Sequence, residues 1–225
     1  MGKKRRGTCV LCCERPATTG DHLPPENIFA DPKPANLITV PACGECNNGA
    51  KLDDERFRNF VALQVGDRTE TGRRLWRQTA ARGISTNLAF MREVILPSEP
   101  VWISTKSGII TGRGWRVEFD MAVVARVVHR MVRGLYYRHH REPLPVDVDI
   151  SIALHRGPAG PGLAETVRGW PGRNMDDQFV YLFNHLEGDP RLSMWILGFH
   201  QSLWVRAFTG EEAMRGLESQ LSPDA

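Results

Sequence analysis

Apolar and polar positions change rhythm along the chain. From about residue 8 to 50 the chain is rich in Gly, Pro, Asn and Cys, and its large apolar residues gather chiefly in the run Leu37-Ile38-Thr39-Val40. A segment so poor in apolar side chains cannot hold itself together by packing. From Asp53 the pattern becomes helical, with Phe57, Phe60, Val61 and Val65 recurring at helical spacing. Asp53, Asp54 and Glu55 fall in the first turn, where the helix dipole favours negative charge. A second helix is predicted from about Glu70 to Arg82.

Trp102 to Phe119 alternates weakly, with turn signals at Ser107-Gly108 and from Gly112 to Gly114, and predicts a β-hairpin. A long helix follows from Met121 to Arg141, ended by Pro143. On a helical wheel Val124, Val128, Met131 and Leu135 share one side, while Arg126, Arg130, Arg133 and Arg141 lie nearly opposite. This predicts a core face and a basic face that is either solvated or turned to nucleic acid. Val146 to Leu154 reads as a strand, and a Gly/Pro-rich loop from Gly157 to Gly172 comes next. Phe179 to His185 and Met194 to His200 read as a hairpin around Gly188-Asp189-Pro190, and Leu203 to Phe208 as one more strand. His129, His139 and His140 fall at surface or edge positions, and His185 and His200 serve packing. Trp102, Trp115, Trp170, Trp195 and Trp204 are expected in the core. The expected fold class is α+β: an N-terminal module, residues 1–66, then a mixed α+β domain, residues 67–225, with a long amphipathic helix and β-hairpins.

Composition narrows this only a little. The chain has 225 residues, 41% of them hydrophobic and 24% charged, as in ordinary globular proteins. No stretch approaches the roughly 18 consecutive apolar residues of a spanning helix, so no membrane partner is expected. The net charge is +3, with Lys3, Lys4, Arg5 and Arg6 forming a block that suits a phosphate backbone or a solvated tail. Gly7, Thr8 and Cys9 follow that block in place of an apolar run, which argues against a secretory signal and for the cytosol.

Five cysteines, Cys9, Cys12, Cys13, Cys43 and Cys46, are confined to the N-terminal part. Paired thiols in a reducing compartment more often bind metal than form disulfides. Cys9-x-x-Cys12 and Cys43-x-x-Cys46 are two knuckles that can each present two thiolates to one tetrahedral Zn²⁺. Four sulfurs close the coordination sphere, so the zinc would be structural and would supply folding free energy that a core-poor segment lacks. Cys13 could replace Cys12, but the C-x-x-C register leaves it as a free neighbour.

Between the knuckles lie Gly20-Asp21-His22-Leu23-Pro24-Pro25 and Asn36-Leu37-Ile38-Thr39-Val40-Pro41, and Asn47-Asn48 follow the second knuckle. On these residues the chain, over about residues 9 to 60, resembles the HNH endonucleases, also described as ββα-metal or His-Me finger nucleases, in their zinc-stapled form with two C-x-x-C pairs. The family pattern has an acidic residue and a His after the first knuckle, an Asn in the connecting loop, and a His or Asn after the second knuckle. Asp21 and His22 match the first element, Asn36 the second and Asn47 the third, an H-N-N variant. The interval from Asn36 to Cys43 is slightly longer than the usual motif, and the basic residue that often follows the last element is displaced to Lys51.

The resemblance implies an endonuclease acting on nucleic acid, with double-stranded DNA favoured, a structural zinc, and a catalytic Mg²⁺ or Mn²⁺. His22 would take the proton from water, because an imidazole titrates near working pH. Asp21 and Asn47 would offer oxygen ligands to the catalytic ion, and Asn36 would orient the loop or the imidazole. The C-terminal domain would position substrate, recruit a partner or make a homodimer. Each residue also has an ordinary reading: an exposed Asp-His in a loop, an Asn in a turn, or Asn47-Asn48 capping the following helix. The competing function is a non-catalytic zinc module that binds nucleic acid or a protein. A zinc deaminase needs an open zinc position, which four cysteines would fill.

Overall fold

The computed structural model describes residues 7–66, 68–80, 86–105, 107–156 and 161–210. The basic block at Lys3 to Arg6 lies outside them. The chain opens with a two-stranded hairpin, β1 (Thr19–Leu23) against β2 (Ile38–Ala42), antiparallel, with Asp21 opposite Val40 and His22 opposite Thr39. Short α1 (Gly44–Gly49) and longer α2 (Lys51–Val65) follow. The predicted second helix begins at Glu70: α3 (Glu70–Leu75) runs into a π-helical turn, Trp76–Ala80, and its expected end at Arg82 lies outside the described residues. A three-residue α4 (Leu88–Phe90) and a second π-helical turn, Met91–Ile95, lead to the hairpin β3 (Glu99–Ser104) and β4 (Ile110–Arg116).

The long helix α5 (Met121–His140) matches its predicted span closely, because its ends carry clear stop signals. The Asp120 side chain accepts from the Ala122 amide at 2.9 Å, and Arg141 closes the C-terminus in a left-handed conformation, φ 63°. Its apolar face is buried from Val123 to Tyr136. A five-stranded antiparallel sheet completes the fold, in the order β5 (Ile150–Arg156), β9 (Leu203–Thr209), β8 (Asp189–Phe199), β7 (Phe179–Leu186), β6 (Gly172–Met175). A short helix, α6 (Pro161–Thr166), interrupts the expected Gly/Pro-rich loop. No helix among the described residues is long and apolar enough to cross a membrane.

Four expectations need correction. The arginine face of α5 is not a free basic surface: Arg126 and Arg141 are exposed, but Arg130 and Arg133 are drawn into the fold, and three of the four arginines have intramolecular partners. Arg126 pairs with Asp53 of α2 at 2.7 and 2.9 Å, Arg130 pairs with Asp21 and Asp54, and Arg133 donates to the carbonyls of Leu144, Pro145, Val146 and Val148 at 2.9 to 3.2 Å. The last set explains the second correction: with these carbonyls bound by a guanidinium, the strand expected from Val146 starts only at Ile150. Third, Trp195 is fully buried, but Trp102 and Trp115 are 62% and 68% exposed, because the β3–β4 hairpin stands clear of the core. The second hairpin also turns earlier than expected, at Glu187-Gly188, and Pro190 lies within β8.

One apolar core extends across the division expected at residue 66. It joins Leu23 and Val40 of the first hairpin, Phe57 and Val61 of α2, Val127 and Met131 of α5, and Phe179, Trp195 and Phe199 of the sheet. Gly134 makes the closest of these approaches, since a Cβ there would overlap the Leu23 side chain and press on Val40. The hairpin therefore lies directly on the helix backbone. A second join is polar. The turns after β6 and β8 put Asp176, Asp177, His200 and Gln201 in left-handed conformations and present Gln178 and His200 to the segment from Ile28 to Pro32. Gln178 accepts from the Ala30 amide at 2.7 Å and donates to the Pro32 carbonyl at 3.0 Å, while His200 Nε2 meets the Ile28 carbonyl at 3.0 Å.

Candidate functional site

The two knuckles meet. The sulfurs of Cys9, Cys12, Cys43 and Cys46 all lie within 4.8 Å of one another, with Cys9 and Cys43 buried and the other two half-buried. Four thiolates at about 2.3 Å from one zinc stand about 3.8 Å apart, so the cluster has the size of a tetrahedral site. Local backbone makes each knuckle. In the first, the Cys13 amide donates to the Cys9 carbonyl at 2.9 Å and the Cys9 amide to the Arg15 carbonyl at 2.8 Å. In the second, Cys43 caps α1, its sulfur accepting from the Cys46 amide at 3.4 Å. The knuckles are tied to the hairpin by the Val10 amide on the Pro41 carbonyl and the Thr18 amide on the Ala42 carbonyl.

Charge around the sulfurs is uneven. Burial opposes ionisation of Cys43, but the Cys46 amide and Arg15 outweigh it and bring that thiol down to about 6. Burial pushes Cys46 up to about 12, with the Cys43 sulfur beside it adding to the shift. Burial also raises Cys9. Four sulfurs in contact cannot all ionise together without a cation among them, and a divalent ion supplies the missing charge. The donor set, all sulfur and closed, fits zinc in a structural role. Cys13 stands apart: it has a left-handed backbone, φ 58°, and its sulfur lies 3.6 Å from the Leu144 carbonyl.

The staple fixes the hairpin beside it. Alternation along β1 sends Asp21 and Leu23 to the core side and leaves His22 half-buried on the other. His22 Nδ1 lies 3.5 Å from the Thr39 hydroxyl across the hairpin. Asn47, inside α1, donates its Nδ2 to the Thr19 hydroxyl and to the Gly20 carbonyl, both at 3.2 Å. Asn47 therefore does not cap the next helix, whose N-cap is Ala50 without a side-chain cap bond. Both amide hydrogens point at β1, which leaves the Asn47 carboxamide oxygen turned away from those bonds. Asn47 and His22 are thus brought to the same strand.

Asp21 is placed differently. It is 4% exposed, and Arg130 Nε lies 3.1 Å from its carboxylate. The same guanidinium pairs with Asp54 of α2. Burial raises the Asp21 carboxyl to about 6 against the pull of Arg130, and burial also raises Asp54. Arg130 and Asp54 form a buried charge cluster that sequence reasoning missed, having read them as a basic face and as helix-dipole charges. The signal was an acidic pair, Asp53-Asp54, at the start of one helix and two arginines one helical turn apart, Arg126 and Arg130, on another. Asn36 is exposed in the loop before β2, and its carbonyl accepts from Arg173 at 2.9 Å. That bond ties the loop to β6.

Of the remaining histidines, His139 and His200 pack against the fold, whereas His185, expected to serve packing, is exposed at the end of β7. His139 keeps its expected edge position, exposed in the last turn of α5, with Nε2 3.0 Å from the Tyr181 hydroxyl and its ring 4.2 Å from Phe183, and partial burial lowers it to about 4. His200 is fully buried in its turn, and burial lowers it to about 4 as well. No family model, no curated protein and no solved structure matches this chain.

Proposed function

We propose that residues 9–60 form an HNH-type nuclease module and that the chain hydrolyses a nucleic-acid phosphodiester, with DNA as the favoured substrate. The observation that carries this reading is the closure of both C-x-x-C pairs on one cluster directly beside the strand that bears His22, with Asn47 hydrogen-bonded to that strand. A module that only bound zinc would have no need to seat an imidazole at that point.

In this reading His22 accepts the proton of the attacking water, and Thr39, across the hairpin, orients its ring through Nδ1. A magnesium-like ion, when bound, would neutralise charge on the phosphate and the leaving oxygen. The Asn47 carboxamide oxygen is an available donor to it. Asp21 is an incomplete one, because Arg130 already engages its carboxylate. We therefore assign Asp21 to holding β1 against α2 and α5, and no step is given to it. Asn36 supports the loop through its backbone.

The buried position of Asp21 also favours a second reading, a non-catalytic zinc module that binds nucleic acid. Supercoiled plasmid incubated with the zinc-loaded chain, with and without Mg²⁺ or Mn²⁺, separates the two. Nicking that requires the added ion and is lost in His22→Ala, with zinc content unchanged, supports the nuclease. Binding without cutting under either ion, in salt-dependent fashion, supports the binding module.

A further inference from the structure

The β3–β4 hairpin buries neither of its faces. Along both strands nearly every residue is exposed, and Trp102, Ile103, Ile109, Ile110 and Trp115 are each at least 50% accessible. A two-stranded hairpin is marginal by itself in water, and large apolar side chains left open on such an arm mark a place where something else binds.

The register sorts its side chains. Trp102 pairs with Arg113 and Pro100 with Trp115, so alternation puts both tryptophans and Arg113 on one face. The opposite face carries Val101 and Ile103 across from Gly114 and Gly112, and Ile103 lies over Gly114. On the tryptophan face the Arg113 guanidinium lies 4.5 Å from the centre of the Trp102 ring. At the tip stand Ile109 and Ile110, beside a turn closed by the Thr105 amide on the Ile109 carbonyl.

Charge chooses between occupants. Within residues 99–116 the sequence places Lys106, Arg113 and Arg116 against Glu99 alone. Two copies of such an arm would meet with like charge, whereas a polyanion is attracted to it. Aromatic faces next to a guanidinium are also the groups on which bases stack, and isoleucines at an exposed tip can wedge between base steps.

We propose that the β3–β4 hairpin is a nucleic-acid arm: Ile109-Ile110 enter and partly unstack a base step of a duplex, Trp102 and Trp115 pack on the bases so uncovered, and Arg113 meets the phosphates. The arm extends the nuclease reading, from which it takes its substrate class. In the same chain Arg126, Arg130 and Arg133 are engaged by intramolecular partners, so the cationic face of α5 does not compete with the arm for this role.

The test uses the full-length, zinc-loaded chain carrying His22→Ala, in buffer without added divalent ion, and a fluorescein-labelled DNA duplex of mixed sequence. Adding Trp102→Ala with Trp115→Ala should weaken binding about tenfold or more. Arg113→Gln, which leaves the tryptophans in place, should weaken it less and lower its salt dependence. Ile109→Ser with Ile110→Ser probes the tip at the end of the ladder, leaving the pairs from Glu99 with Arg116 to Ile103 with Gly112 in place, and guards against simple unfolding of the arm. Unchanged affinity in all three variants overturns the proposal, as does failure of the parent chain to bind the duplex. So does a chain that sediments as a dimer and becomes a monomer when the tryptophans are removed. Binding is read here without cleavage, so an arm that binds in a chain that never cuts leaves this proposal standing while the nuclease reading fails.

Discussion

Residues 7–50 and the five-stranded sheet both consist of antiparallel strands and tight turns, but they are held by different forces. In the sheet, Trp195, Phe179, Phe199, Leu197 and Val205 are fully or nearly fully buried, and burial of such side chains is worth about 1.5 to 3 kcal/mol each. In the N-terminal segment the polar and turn residues outnumber the apolar ones. Four sulfurs in one cluster, the packing of Leu23 and Val40 on Gly134, and hydrogen bonds from Gln178 and His200 do the holding. The hairpin bearing His22 thus depends on the sulfur cluster and on polar ties as well as on packing, whereas the sheet is held chiefly by its share of the apolar core. The residues of the proposed nuclease site sit on the dependent part.

The largest effect should come from the sulfurs. Removing the zinc proposed for this cluster should withdraw about 10 kcal/mol of binding free energy from folding, and Cys43→Ser a part of it. Hydrogen exchange should then show loss of protection at residues 19–23 and 38–42, while residues 179–186 and 194–199 keep theirs. Equal loss in both regions would mean that the two are not separable. Next comes the buried charge cluster. Arg130→Met leaves Asp21 and Asp54 without a counter-charge at a site where the arginine side chain is 10% exposed, at a cost of about 3 kcal/mol. Asp54→Asn added to it should recover part of the loss in denaturant unfolding, and no recovery would remove charge as the cause.

Gly134→Val should cost about 2 to 3 kcal/mol by driving the hairpin off α5, although valine is the better helix former. Thermal unfolding of the zinc-loaded protein measures it, and a neutral result would show that the contact can relax. The pH dependence is smaller. His200 and His139 are held near 4 in the fold and rise to their ordinary value, about 6.5, on unfolding. Between those values the unfolded chain binds more protons, so stability is full above about 6.5 and falls as pH drops towards 4. His200→Asn, which tolerates the left-handed turn, should flatten that slope relative to the parent protein. Smallest of all is Trp102→Ser, which should change stability by under about 0.5 kcal/mol because that side chain touches little of the fold.

Much of this comparison could be read from the residues. The C-x-x-C spacing foretold the cluster, and α5 was legible end to end because Asp120 and Pro143 bracket one strong apolar stripe. The strands from Phe179 onward alternate clearly enough to be found, though Pro190 masked how early the turn comes. What escaped reading depends on neighbours distant in sequence. That Arg130 reaches Asp21, or that Arg133 takes the carbonyls from Leu144 to Val148, follows only once α5 lies across α2 and the hairpin. The exposure of Trp102 and Trp115 was hidden for the same reason, since an aromatic hairpin reads as core unless nothing packs on it. For the candidate site, His22 and Asn47 come to one strand, but the inward turn of Asp21 and the bond from Arg173 to the Asn36 carbonyl were not visible from motif order.

In the proposed nuclease, the sulfur cluster holds in place the strand from which His22 acts as general base. The measurement that tests this most directly is plasmid nicking followed while zinc is returned to metal-free protein in the presence of Mg²⁺. The account predicts that cutting rises with zinc to one ion per chain, in step with recovered amide protection at residues 19–23, and stays absent throughout in His22→Ala. Full cutting without zinc, or cutting that survives the loss of His22, would contradict it.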